Sequence, residues 1–104
     1  MSVVKKNKPK LTSTALRSWP AYVCRLFASI SEIDAIFASA DNSAIHLYSV
    51  VREFDESLYG RLLKKEGRLE KEFPELSFDF HVRAHQGRKP YLAVPFGAEL
   101  VFAR

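Results

Sequence analysis

Between Leu76 and Arg83 apolar and polar positions alternate without a break. Leu76, Phe78, Phe80 and Val82 fall on one side; Ser77, Asp79, His81 and Arg83 fall on the other. Successive side chains leave a strand on opposite faces, so this period of two predicts a half-buried strand, which we read as a central one. Nearer the N-terminus the period lengthens. Leu16, Trp19, Val23, Leu26, Phe27 and Ile30 recur at spacings of three and four, which predicts a helix. Ser18 as its cap, with Pro20 in the first turn where a missing N–H costs nothing, sets that helix at about 18–30. A start capped by Ser13 or Thr14 would instead leave Pro20 as an interior kink; the shorter helix is preferred. A second helix is expected over 55–73. Asp55 is a good N-cap, Glu56 suits the positive end of the dipole, and Leu58, Leu62, Leu69 and Phe73 form its apolar stripe. Phe54 is placed to pack on Tyr59 as a hydrophobic staple, and Pro74 ends the helix. Gly60 and Gly67 each weaken it by about 1 kcal/mol relative to Ala, unless they permit close packing.

Residues 33–39 and 44–52 read as two strands. The connecting Ala40-Asp41-Asn42-Ser43 has turn chemistry, and its length suits an antiparallel hairpin. Val50-Val51 makes both faces of the second strand apolar, as in a central strand. Strand 44–52, helix 55–73 and strand 76–83 then form a crossover unit, whose two strands should be parallel with a right-handed connection. Tyr91–Val94 and Leu100–Ala103 are short apolar runs, either a terminal hairpin or an edge strand with a docking tail. The expected fold class is α+β: a two-layer sandwich with a mixed sheet of three to five strands, element order α-β-β-α-β-β, and both helices on one face.

Composition changes this picture little. The chain has 104 residues, 47% of them apolar, enough for one small domain over 11–104. Its net charge of +4 is carried by a leader, residues 1–10, containing Lys5, Lys6, Lys8 and Lys10; the remaining 12 Lys and Arg balance the 12 Asp and Glu. No apolar run approaches the roughly 18–20 residues that span a bilayer, and no apolar segment with a cleavage site follows the leader. No membrane partner is therefore expected. Cys24 is the single cysteine, which makes the cytoplasm the expected compartment, and it reads as a small buried hydrophobe rather than a nucleophile.

The stretches Ile36-Phe37-Ala38-Ser39, Ala44-Ile45-His46-Leu47 and Phe78-Asp79-Phe80, with the element order over roughly 20–83, resemble the minimal nucleotidyltransferase core of the DNA polymerase beta superfamily. That resemblance implies a Gly-Ser strand end near the nucleotide phosphates, paired acids on the second strand and a further acid on the third. The chain departs from this pattern. Ala38 stands for the glycine, Ala44 and His46 stand for the paired acids, and only Asp79 remains; the loop between the first two strands is also short. Carboxylate oxygens are what hold Mg²⁺ against a triphosphate, so the resemblance implies a metal-free, catalytically silent relative.

If strands 44–52 and 76–83 are neighbours, His46, Tyr48, Asp79, His81 and Arg83 cluster on one face. They then form either a shallow site for a partner, an anion or a metal, or a plain solvated surface with cross-strand pairs. His81, His85 and Asp79 include zinc ligand types, but this segment reads as strand and then loop, so no metal and no cofactor is assigned. No nucleophile elbow, phosphate-binding loop or Cys-x-x-Cys is present. Arg88 and Lys89, beside Arg83 and Tyr91, could join the lysine leader in contacting RNA or DNA. The apolar Val94-Pro95-Phe96 and Leu100-Val101-Phe102 need cover, from their own sheet or from a second copy. Together these features predict a non-catalytic interaction module, self-associating as a homodimer or binding another protein, through its open sheet face or C-terminal edge. A residual enzyme or nucleotide-binding protein of nucleotidyltransferase type using Ser39, His46 and Asp79, and a nucleic-acid contact protein, are the alternatives.

Overall fold

A computed structural model of the chain describes residues 13–104, with side chains from Ser18 onward. The basic leader lies outside the described residues. The elements are α1 (Ser13–Phe27), β1 (Ile33–Ala40), β2 (Ile45–Val51), α2 (Glu56–Glu72), β3 (Phe78–Ala84), a 3₁₀ turn at Pro90–Ala93, and β4 (Glu99–Ala103). The four strands form one open mixed sheet in the order β3-β2-β1-β4. Both helices send their apolar stripes into a shared core against one face, giving the expected α+β architecture.

α1 runs through Pro20 rather than starting beside it, so the longer of the two helix readings is correct and the preferred start at Ser18 is not. The lost N–H is offset by packing on both sides of the proline. Trp19 meets Phe78 edge-on at 5.9 Å, and Tyr22 meets Phe73 at 5.5 Å. α2 begins where its cap predicts: the Asp55 carboxylate accepts from the Ser57 N–H at 3.0 Å. Leu58, Leu62 and Leu69 are buried, but Phe54 and Tyr59 both stand out to solvent, so no staple shields them. A Cβ at Gly60 or Gly67 would meet nothing within 4 Å, which rules out close packing as the reason for either glycine.

The β1–β2 hairpin is antiparallel and is closed by Asp41. Asp41 Oδ1 accepts from the Ser43 N–H at 2.8 Å, the Ser43 hydroxyl at 2.9 Å and the Ala44 N–H at 3.0 Å. β2 is central, with Val50 and Val51 fully buried on opposite faces. β2 and β3 are parallel across α2, as the crossover requires. β3, however, is an edge strand and not a central one. Phe78 and Phe80 are accordingly half-buried; they extend the core, while residues such as Phe27, Ile36, Leu47 and Leu62 form its middle.

The C-terminal segment is an edge strand rather than a hairpin: β4 pairs antiparallel with β1 at the other side of the sheet. Ala93, Val94 and Ala98 lie on Ala35, Phe37, Tyr48 and Val50, so the second face is covered in its middle and open only towards its ends. Two contacts tie this segment to α1. The Cys24 thiol donates to the Val101 carbonyl at 3.1 Å. The Arg104 guanidinium donates to the carbonyls of Ile30 at 2.6 Å, Ile33 at 2.7 Å and Ala28 at 2.9 Å. Those carbonyls span the connection from the end of α1 to the first residue of β1, so Arg104 pins that connection against β4. Among the described residues, no helix is long and apolar enough to cross a membrane.

Candidate functional site

On the face away from the helices, β2 contributes His46 and Tyr48, and β3 contributes Asp79, His81 and Arg83. The parallel register sets His46 opposite Asp79, Tyr48 opposite His81 and Val50 opposite Arg83. The five predicted residues therefore do come together. His46 Nδ1 lies 3.2 Å from His81 Nε2 and 3.4 Å from Asp79 Oδ2, and His81 Nε2 lies 3.7 Å from the same carboxylate oxygen. The Tyr48 ring stacks on His81 at 4.7 Å, and the Arg83 guanidinium lies 5.4 Å over Tyr48. Ser39 pairs with His46 from the β1 side, so Ser39, His46 and Asp79 form one row across three strands.

One member of this site was read from the sequence only as a turn residue. Asp41 Oδ2 lies 2.8 Å from His46 Nε2, and this bond, with those of the hairpin turn, holds the Asp41 carboxyl well below the usual range. In the tautomer with its proton on Nε2, donated to Asp41, His46 turns its Nδ1 lone pair towards His81 and Asp79.

His85 does not join His81. Its ring is buried, with Nε2 at 2.6 Å from Asp34 Oδ2 and Nδ1 accepting from the Gly87 N–H at 3.0 Å. Both ring nitrogens are thus occupied in holding the loop after β3 against β1. Gln86 and Gly87 adopt φ values of 54° and 85°, a left-handed pair that turns the chain back and carries His85 under it. The sequence-level grouping of His85 with Asp79 and His81 fails for this reason, and His46 takes its place. Arg88 and Lys89 are exposed beyond that turn, at the end of β3 opposite Asp79, while Lys5, Lys6, Lys8 and Lys10 lie outside the described residues.

Two further features lie away from this row. Glu66 is half-buried on the inward stripe of α2, four residues after Leu62 and three before Leu69; desolvation, with Glu70 nearby, pushes its carboxyl up to about 7. Its spacing was the signal available in the sequence. Glu32, at the start of β1, is held down at about 2 by the Arg61 guanidinium, which contacts it at 2.6 and 3.0 Å. An apolar groove of about 450 Å³ runs between the 3₁₀ turn and β4, bordered by Phe37, Tyr91 and Leu100. A second, acidic depression of about 700 Å³ lies at the β2–α2 junction, around Glu32, Glu53, Asp55 and Glu56.

No protein-family model matches the chain, and no curated protein matches it in sequence.

Proposed function

We propose that this protein is a non-catalytic interaction module that self-associates through its C-terminal edge, with the His46–Arg83 face as a second, polar recognition surface. The observation that carries this reading is the apolar edge itself. Tyr91, Leu92 and Leu100 are each more than half exposed, and Phe96 is fully so, all beside an edge strand. A second copy supplies what that edge lacks. β4 pairs with only one neighbour, so antiparallel pairing of two β4 strands about a two-fold axis would satisfy both outer edges. Each copy also offers a projecting Phe96 and an apolar groove, a self-complementary pair. A single cysteine whose thiol is given to a backbone carbonyl suits a reducing compartment such as the cytoplasm.

Sedimentation velocity across the micromolar range tests this directly. The expected result is a dimer that Leu100→Lys converts to a folded monomer, since the replaced side chain faces solvent. A monomer at every concentration would sink the reading.

One observation favours a second reading, a residual nucleotide-binding protein of nucleotidyltransferase type. Ser39, His46 and Asp79 fall in one row over a hairpin-and-crossover frame like that of the family's core. Calorimetry with ATP and Mg²⁺ separates the two: binding heat abolished by Asp79→Ala favours the nucleotide, and no heat removes it.

A further inference from the structure

We propose that His46, Asp79 and His81 form a binding site for one divalent transition-metal ion of the zinc class. The inference rests on this row being a binding surface, and not on self-association.

Three donor atoms converge there: His46 Nδ1, His81 Nε2 and Asp79 Oδ2, at mutual distances of 3.2, 3.4 and 3.7 Å. A point about 0.7 Å out of the plane of these donors lies about 2.1 Å from each, close to the length of a zinc bond to nitrogen or oxygen. A tetrahedral centre with such bonds holds its donors about 3.4 Å apart, so the three separations already match one. Three protein ligands leave a fourth position, and it opens to solvent past Asp79, the most exposed of the three.

The surroundings can orient the ligands as a metal requires. With the His46 proton on Nε2 and donated to Asp41 Oδ2, Nδ1 presents its lone pair to the site; this is the carboxylate–histidine–metal arrangement. Tyr48 stacks on His81 with only 16° between the planes, which fixes the second imidazole. His46 Nδ1 and His81 Nε2 face each other at 3.2 Å. Metal binding requires a lone pair on both, so His81 must carry its proton on Nδ1. Two imidazoles and one carboxylate suit zinc and its neighbours, whereas Mg²⁺ demands oxygen ligands. The chemistry therefore differs from the carboxylate-held Mg²⁺ of the nucleotidyltransferase core.

The test uses the full, tag-free chain stripped with chelator, then titrated with ZnCl₂ against a chromogenic competitor and separately with Co²⁺. One ion per chain is expected, with a sub-micromolar dissociation constant, a tetrahedral Co²⁺ spectrum and no competition from Mg²⁺. His46→Ala, Asp79→Ala and His81→Ala should each weaken zinc by a hundredfold or more, on the order expected for lost ligands. Asp41→Asn should weaken it by about 10- to 100-fold. Circular dichroism confirms that each variant is folded. Glu99→Gln, on β4, should bind like the wild type. Failure to retain zinc against the competitor, His81→Ala binding as the wild type does, or displacement by Mg²⁺ would each overturn the site. Sedimentation in chelator keeps the two proposals apart: a dimer that binds no zinc ends this one alone, and a monomer that binds zinc ends the other.

Discussion

Replacing Glu66 by Gln should stabilise the protein at pH 8 and leave it unchanged near pH 4. The Glu66 carboxyl is pushed up from an ordinary 4.5 to about 7, mainly because the inward side of α2 strips water from it and secondarily because Glu70 is near. A raised acid has a definite sign. Below pH 4.5 the group is protonated in both folded and unfolded chains and contributes nothing. As pH rises from 4.5 to 7 the unfolded chain loses its proton first, so folding becomes progressively less favourable; above 7 the full penalty is present. The difference between 4.5 and about 7 would be worth about 3.4 kcal/mol in a site sealed from water. Glu66 is only half-buried, so solvent screening reduces this to about 1–2 kcal/mol. Urea unfolding followed by Trp19 fluorescence measures it at the two pH values. Glu66→Gln should exceed the wild type by about 1–2 kcal/mol at pH 8, or about 4–8 °C in Tm per kcal/mol for a domain of this size. An equal stability difference at both pH values would refute the reasoning, because a packing effect does not titrate.

The other expected outcomes rest on simpler physics. Gly60→Ala and Gly67→Ala should each stabilise α2 by about 0.5–1 kcal/mol, since the new methyl meets open space; destabilisation in urea melts would refute this. Leu69→Ala should cost about 2–5 kcal/mol, because Leu69 is wholly buried; a loss below about 1 kcal/mol would mean that the helix is not seated on the sheet. Arg104→Ala should cost about 1–3 kcal/mol by leaving three carbonyls of the α1–β1 connection without their charged donor, again read by urea unfolding. Its amide exchange should speed up at the end of α1 and in β4 before it does elsewhere.

Local chemistry was legible wherever a residue acts on its sequence neighbours. Asp41 with Ser43 announced the hairpin, Asp55 announced α2, and the crossover fixed β2 and β3 as parallel. Strand position was not legible, since Phe78-Asp79-Phe80-His81 alternates in the same way at an edge as at the centre. What decides is whether the C-terminal run pairs with β1 or β3, a choice between distant segments. The candidate site was legible as a set because adjacency of β2 and β3 was enough to gather His46, Tyr48, Asp79, His81 and Arg83. Its inner geometry was not. A register slip of one residue would turn His46 or Asp79 into the core, so the observed register is the one that keeps the apolar side of each strand under the helices. Pro20 misled for a related reason: propensity places proline in a first turn, while Trp19 and Tyr22 hold a helix on both sides of it.

Asp41 links the fold to the site through the two oxygens of one carboxylate. Oδ1 closes the hairpin turn, and Oδ2 lies 2.8 Å from His46 Nε2, where it favours the tautomer with its proton on that nitrogen. A substitution that removes the side chain therefore loosens the turn and frees the imidazole at once, and its effects cannot be assigned. Asp41→Asn separates them. Its amide oxygen can still accept from Ser43 and Ala44, so the hairpin keeps its closure. In the other position stands an NH₂ group, which donates and so requires His46 Nε2 to accept. The proton must then move to Nδ1, turning an N–H towards Asp79 and His81 where a metal would need a lone pair. An unchanged fold with a metal site weakened by about 10- to 100-fold is what that single reversed hydrogen bond dictates, whereas a merely structural role for Asp41 would leave both fold and metal affinity unchanged.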